Sequence, residues 1–141
     1  MEVLIREFRY SLSVIKFILT SIKKYKDVDI KEKLNELYSS NKITEEEMES
    51  TNKLLENINF ELLSKYIKKN EYEDLELTEK GNNLYNILGS ANLDEPAIYK
   101  NIHNFVNDKN DKNKKLIEKK VLTFFQLTEC IIYNYIFYKF A

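Results

Sequence analysis

The sequence contains few side chains of the kinds that perform acid–base, nucleophilic or metal chemistry. His103 is the only histidine and Cys130 is the only cysteine. A catalytic histidine needs a carboxylate that orients it and a pocket for the substrate. Nothing in the sequence nominates either, so we interpret His103 as a partly exposed helix residue. Cys130 lies in the most apolar part of the chain, where cysteines usually serve as inert packing residues. We therefore expect a protein that is not an enzyme and that binds no metal ion or other cofactor.

A group of glutamates in residues 45–49 has two interpretations. Glu45, Glu46, Glu47 and Glu49 are carboxylates of the kind that can bind a metal ion. They also follow Thr44, a residue type that caps helices, and acidic side chains in a first turn are stabilised by the positive end of the helix dipole. Thr44 and Glu47 have the spacing of a capping box. The cap explains the group more simply, and it predicts a helix that begins at Glu45.

Length and composition indicate one small domain. The 141 residues are enough to bury a core without disulfide or metal cross-links. Two glycines and one proline are too few for a β-sandwich or barrel, and they exclude glycine-rich phosphate-binding loops. The net charge of −1 gives no overall attraction to nucleic acid, so binding would need a local basic patch. The single cysteine and the charged N-terminus without a cleavage site predict a cytoplasmic protein.

Apolar residues repeat at helical spacing over most of the chain. They predict helices over about residues 2–25, 30–39 and 79–88, one that follows Asp94, and one over about 114–140, in addition to the helix from Glu45. Asp29, Thr78 and Asp94 are the predicted N-caps. Residues 107–115 are polar and low in complexity, which predicts an exposed connection. We divide the single domain, 1–141, into an N-terminal helix (1–27), a core (28–90) and C-terminal helices (92–141).

The end of the helix that starts at Glu45 decides the fold. Apolar residues keep a helical period as far as Tyr66, which allows one continuous helix to Lys69. Alternatively, the helix stops near Asn59, and residues 62–69 and 73–77 form a hairpin around Asn70-Glu71-Tyr72. Leu75-Glu76-Leu77 alternates as a strand does. Both alternatives remain open from the sequence.

Residues 62–88 carry a resemblance to a known family. Leu77-Thr78-Glu79-Lys80-Gly81, followed by an apolar helix, is similar to the end of the wing in winged-helix regulators of the MarR and PadR types. The resemblance implies that Leu77 closes the second wing strand, that Thr78 caps the next helix and that Gly81 allows close packing. It also implies a first wing strand over residues 66–69, and a helix-turn-helix made of residues 30–39 and a recognition helix from Glu45 to about Asn59.

The resemblance implies a transcriptional regulator that binds duplex DNA. The predicted contact residues are Asn52, Lys53, Lys65, Lys68 and Lys69. Charge opposes part of this assignment, because residues 41–61 carry two lysines and six glutamates, and DNA phosphates repel acidic side chains. The alternative is a non-catalytic helical protein-interaction module, an adaptor or inhibitor, that uses an apolar face or the acidic face of residues 43–61.

The two terminal helices carry more apolar surface than one small domain needs to bury. The last helix is apolar on most sides, as in a helix that is buried or spans a membrane. Polar residues interrupt this helix and disfavour a membrane span, namely Gln126, Glu129, Asn134 and Lys139. Its tyrosines, in contrast, suit a protein interface, namely Tyr133, Tyr135 and Tyr138. We therefore expect a homodimer formed through the N- and C-terminal helices. The predicted fold is mainly α: a winged-helix-like domain with a small β-hairpin and long terminal helices.

Overall fold

The computed structural model describes residues 2–26, 28–107 and 117–140, and it describes side chains in 10–26, 28–107 and 117–132. Along the described chain the elements are α1 (Glu2–Lys23), α2 (Ile30–Ser39), α3 (Glu45–Glu56), β1 (Ile67–Lys69), β2 (Leu75–Leu77), α4 (Glu79–Leu88), α5 (Pro96–Val106) and α6 (Ile117–Phe140). The predicted mainly α fold with a small β-hairpin is confirmed.

Helix α1 is at the centre of the core. Its residues Val14, Ile15 and Phe17 to Leu19 are almost completely buried, and α5, α6, α4 and β2 pack around it. The Phe17 ring meets the Tyr99 ring of α5 edge to face, with centroids 6.0 Å apart. In the described part of the α1 apolar stripe, Ile15, Ile18 and Ile22 are covered within one protomer, whereas Leu12 is half-buried. Leu4 and Phe8, which belong to the same predicted stripe, lie outside the residues with described side chains.

The chain leaves the helical path after Glu56, so the alternative of one helix to Lys69 is wrong. Asn57 is the C-cap, and its Nδ2 donates a 2.8 Å hydrogen bond to the Lys53 carbonyl. The same carbonyl also accepts from the Asn57 N–H (3.2 Å), so the last turn of α3 closes on Asn57. After residues 58–66, β1 and β2 pair antiparallel, with Ile67 opposite Leu77. The hairpin is confirmed, with strands shorter than the ranges predicted from the sequence.

The first turn of α4 holds the hairpin against the helices. The Thr78 side chain accepts a hydrogen bond from the Gly81 N–H (3.2 Å) and caps α4, while the Thr78 N–H donates to the Tyr66 carbonyl (2.9 Å). Gly81 approaches the same carbonyl so closely that a Cβ atom there would lie 2.1 Å from its oxygen. The predicted cap at Thr78 and the predicted close packing at Gly81 are both confirmed.

Two local predictions are wrong. The N-cap of α5 is Glu95, not Asp94, and it makes no side-chain capping hydrogen bond. The Asp94 carboxylate instead forms an ion pair with Lys33 Nζ at 2.9 Å, and this hydrogen-bonded lysine lowers the pKa of Asp94. Cys130 is exposed on α6 and does not pack in the core.

Several predictions fall on parts of the chain that are not described. The exposed connection over 107–115 is described only at Asn107. The interface side chains Tyr133, Tyr135 and Tyr138 also lie outside the residues with described side chains. Within the described residues, no helix is long and apolar enough to cross a membrane.

Candidate nucleic-acid interface

A tight connection sets the direction of α3 relative to α2. Asn41 adopts a left-handed backbone conformation (φ 58°), which asparagine tolerates better than most residues. The buried side chain of Ile43 fixes the connection to the core. Thr44 then caps α3: its hydroxyl accepts from the Glu47 N–H and donates to Glu47 Oε1, both at 3.1 Å. The predicted start of α3 at Glu45 is confirmed.

The inner face of α3 packs against α5 through a polar contact that includes the only histidine. Ser50 Oγ lies 2.8 Å from His103 Nδ1 and accepts a 2.9 Å hydrogen bond from Asn107 Nδ2. Ser50 and its neighbour Thr51 are buried, so neither is available to an external ligand. The half-buried imidazole of His103 therefore takes part in helix packing, consistent with its interpretation as a partly exposed helix residue.

The outer face of α3 is acidic. The residues exposed on this face are Glu45, Glu46, Glu49, Lys53 and Glu56. Lys53 thus shares its surface with four carboxylates, which would repel a phosphate brought to it. Asn52 is half-buried, and its Oδ1 is buried without a hydrogen-bond partner among the described residues. Of the two contact residues predicted on α3, only Lys53 extends freely into solvent.

The three lysines predicted on the hairpin are all exposed. Lys65 precedes β1, and Lys68 and Lys69 lie in it. Lys68 is opposite Glu76 of β2, with Nζ and Oε1 3.4 Å apart and side-chain exposures of 57% and 39%. An ion pair this exposed contributes little free energy, so it does not prevent Lys68 from contacting another anion.

The tip of the hairpin has a defined conformation and carries acidic residues. Asn70 Oδ1 accepts hydrogen bonds from the N–H groups of Tyr72 (2.8 Å) and Asp74 (3.0 Å). Glu73 between them has a left-handed backbone (φ 64°). The tip carboxylates, Glu71, Glu73 and Asp74, are exposed and restrict the basic surface to the β1 side of the hairpin.

Helix α6 contacts the base of the hairpin through Glu129, a contact that the sequence does not predict. Glu129 accepts a hydrogen bond from the Tyr66 hydroxyl, and its Oε1 lies 3.2 Å from Lys80 Nζ. Burial raises the pKa of Glu129, but the hydrogen bonds from Tyr66 and Lys80 outweigh it and leave the pKa below its ordinary value. Tyr66 and Glu129 are 63 positions apart, and no local pattern signals a contact over that separation.

The described residues contain no group of three or more His, Cys, Asp or Glu side chains that could hold a metal ion. No protein-family model, no curated protein and no solved structure matches the chain. What the protein binds must therefore be inferred from its own surface.

Proposed function

We propose that this chain is a winged-helix-type protein that binds duplex DNA, as a non-catalytic transcriptional regulator in the cytoplasm. The observation that carries the proposal is the exposure of Lys65, Lys68 and Lys69, on or just before a hairpin that is the next regular element after two helices joined by a tight connection. In this arrangement the hairpin is the wing, α2 and α3 form the helix-turn-helix, and the wing lysines contact phosphates.

The charge of α3 determines how such a protein would bind. Because Glu45, Glu46 and Glu49 are exposed beside Lys53, α3 adds little attraction and some repulsion. The attraction therefore comes mainly from three wing lysines. Each phosphate contact adds about −0.9 to the slope of log affinity against log salt. We expect a modest affinity at low salt and a slope of about −3 per protomer.

The test is fluorescence anisotropy with labelled duplex fragments of mixed sequence at several low salt concentrations. The variant Lys68→Gln/Lys69→Gln should reduce the slope by about 2 and weaken binding. The matched control, Lys100→Gln/Lys119→Gln, removes the same charge from exposed positions on α5 and α6 and should bind nearly as well as the wild type. Absence of binding at low salt, or an equal loss in both variants, contradicts the proposal.

A second candidate function rests on the same acidic surface. The exposed glutamates of α3 outnumber the single lysine on that face, a pattern that favours a basic protein surface over a polyanion. In this alternative the chain is an adaptor or inhibitor. Glu46→Gln/Glu49→Gln separates the two functions, because it should strengthen binding to DNA and weaken binding to a basic protein.

We also propose that the protein forms a homodimer through α6. Leu127 and Ile131 are exposed one turn apart on this helix, and Ile87 of α4 is exposed as well. Most apolar side chains in the described part of α1 are covered by its own protomer, so among the described residues we assign the dimer surface to α6. Ile131→Lys should yield a monomer in light scattering, whereas Leu62→Lys, at an exposed apolar position outside α6, should leave a dimer. A wild-type monomer contradicts this part of the proposal.

A further inference from the structure

A cleft lies between the helices and the hairpin, and its lining does not include Lys65, Lys68 or Lys69. It has a volume of about 410 Å³, within the range of roughly 300–1,000 Å³ that is typical of small-molecule sites. Its lining comes from the end of α1, the start of α2, the segment after α3, and β2 with the adjacent hairpin tip. Four parts of the chain thus meet at a space large enough for a ligand.

The walls of the cleft are mainly apolar. They include Ile22 and Tyr25 from α1 and the residues after it, Ile58 and Phe60 from the segment after α3, and Leu75 from β2. Phe60 and Leu75 are only partly buried, and so are Tyr25 and Ile58. An apolar ligand body would remove the remaining exposed surface of these side chains from water, which favours binding.

The charged groups at the cleft are two carboxylates and one ammonium group. Glu73 and Asp74 belong to the hairpin tip, and Lys26 follows the end of α1. The hydrogen bonds of Asn70 fix the backbone that carries both carboxylates. Lys26 has a long flexible side chain that can extend into water. With two carboxylates and one ammonium group, the lining carries a net negative charge.

We propose that this cleft binds a small organic cation, an amine with an aromatic or alkyl body. The body packs against Ile58, Phe60 and Leu75, and the ammonium group lies by Glu73 and Asp74. A neutral molecule of the same shape keeps the apolar contacts and loses the charge interaction. An anion of the same shape is repelled. This site does not depend on DNA binding, since it is formed by residues other than the hairpin lysines.

The test uses three probes with one hydrocarbon body and different charge: 4-phenylbutylamine, 4-phenylbutanol and 4-phenylbutyrate. Each is titrated into the full chain labelled with ¹⁵N, and backbone shifts are followed at Ser21, Ile58 and Leu75. The amine should give saturable shifts there and bind about three- to tenfold more tightly than the alcohol, the range expected for partly exposed charges. The carboxylate should bind most weakly. Equal affinity for all three probes, or no saturable shift with the amine, overturns the proposal.

Substitutions at the hairpin tip test the charge interaction. Glu73→Asn/Asp74→Asn removes both carboxylates and keeps at position 73 a residue that tolerates the left-handed backbone. This variant should bind the amine no better than the alcohol. The control, Glu71→Gln, removes a carboxylate from the same tip that does not line the cleft and should bind the amine as the wild type does. Preference for the amine retained in the double variant, or lost equally in both, overturns the proposal.

A substitution within the cleft tests its location. Ser21 lines the cleft, and its hydroxyl donates to the Phe17 carbonyl at 2.7 Å. Ser21→Leu places a larger side chain in the same space on a helix that accommodates leucine. It should abolish the saturable shifts with all three probes while the remaining spectrum keeps its folded pattern. A folded Ser21→Leu variant with wild-type affinity places the amine elsewhere and overturns the proposal. The probe series on the wild type stands independently if this variant fails to fold.

Discussion

The outer face of α3 and the β1 side of the hairpin lie close together in the sequence and differ in charge and attachment. The α3 face exposes four glutamates around Lys53, whereas the hairpin exposes Lys65, Lys68 and Lys69. Helix α3 is held by side chains, through Ser50 and its contacts on α5. The hairpin is held by close backbone approach at Gly81. The helix and the hairpin, which we propose act as one DNA-binding unit, thus offer opposite charges to a ligand and should respond to different substitutions.

We expect the largest change in stability from a methyl group added where α4 packs against the hairpin. Gly81→Ala gains about 1 kcal/mol in helix propensity, but its Cβ would lie 2.1 Å from the Tyr66 carbonyl oxygen, which is backbone and cannot rotate away. Overpacking of this kind costs about 1–3 kcal/mol and occasionally more. Because 2.1 Å is far inside van der Waals contact, the cost should lie at the upper end of this range, about 3 kcal/mol, which leaves a net loss of about 2 kcal/mol in the free energy of unfolding, measured by urea denaturation.

The control for this substitution is Asn83→Ala, at an exposed position of the same helix. It should be neutral or slightly stabilising, because alanine has the higher helix propensity. If Gly81→Ala is as stable as the control, the hairpin does not depend on the close approach of α4.

A substitution in the contact between α3 and α5 should lower stability less than Gly81→Ala does, since this contact includes hydrogen bonds between side chains. Ser50→Ala removes the hydroxyl between His103 Nδ1 and Asn107 Nδ2. His103 is half-buried and Asn107 is exposed, and the two side chains still contact each other at 3.1 Å, so the loss of the hydroxyl should cost about 1 kcal/mol. Thermal or urea unfolding measures the loss, and Ser64→Ala, at an exposed position, is the matched control. Equal stability of the two variants would show that the α3–α5 contact rests on apolar packing alone.

A pH-dependent effect is expected at the base of the hairpin. The pKa of Glu129 is lowered in the folded protein, so the carboxylate contributes stability above its unfolded pKa. That contribution is lost as the pH falls through the folded pKa. At neutral pH, Glu129→Gln should cost about 1 kcal/mol, because its hydrogen bonds are then no longer made to a charged group.

The measurement is the free energy of unfolding of both proteins between pH 7 and about pH 3. The difference between wild type and Glu129→Gln should shrink below about pH 5. Asp94→Asn, which affects the ion pair between α2 and the start of α5, serves as a comparison at a carboxylate far from the hairpin. A constant difference across the pH range would contradict the role given to Glu129.

The smallest effect is expected at the exposed pair on the hairpin. Glu76→Gln removes the partner of Lys68 and should change stability by less than about 0.5 kcal/mol. If the hairpin lysines contact phosphates, the same change should raise DNA affinity by a few fold, because it removes one like charge from the binding surface. Unchanged or weaker DNA binding in this variant would argue against contact at Lys68.

Local chemistry accounts for the features that the sequence predicted well. The start of α3 follows from Thr44 and the glutamates after it, and the turn into α4 follows from Thr78 and Gly81. Each of these depends on residues within one helical turn. The sequence does not decide between the hairpin and a longer helix, because Leu55, Ile58 and Tyr66 continue a helical period by chance. Only the cap at Asn57 and the fold as a whole exclude the longer helix.

Features that depend on distant partners were not predictable in the same way. Asp94 has the type and position of an N-cap, yet Lys33 of α2 binds its carboxylate. Likewise, Glu129 interrupts an apolar helix without any local sign of its contacts with Tyr66 and Lys80. The three lysines predicted to contact DNA are exposed at the hairpin, and their contact with DNA stays a prediction. On α3 the sequence could not indicate that Asn52 is half-buried while Lys53 is exposed.

The central position of α1 has a consequence for synthesis of the chain. Helix α1 is made before the helices that cover it, α5 and α6, and the bond between Ser13 and Asn101 spans 88 positions. Contacts over such separations form slowly, and an apolar helix left uncovered can associate with other chains. A nascent chain that stops before α5 would therefore expose the apolar residues of α1 that the complete fold buries. Such fragments should aggregate or bind chaperones more readily than the intact protein.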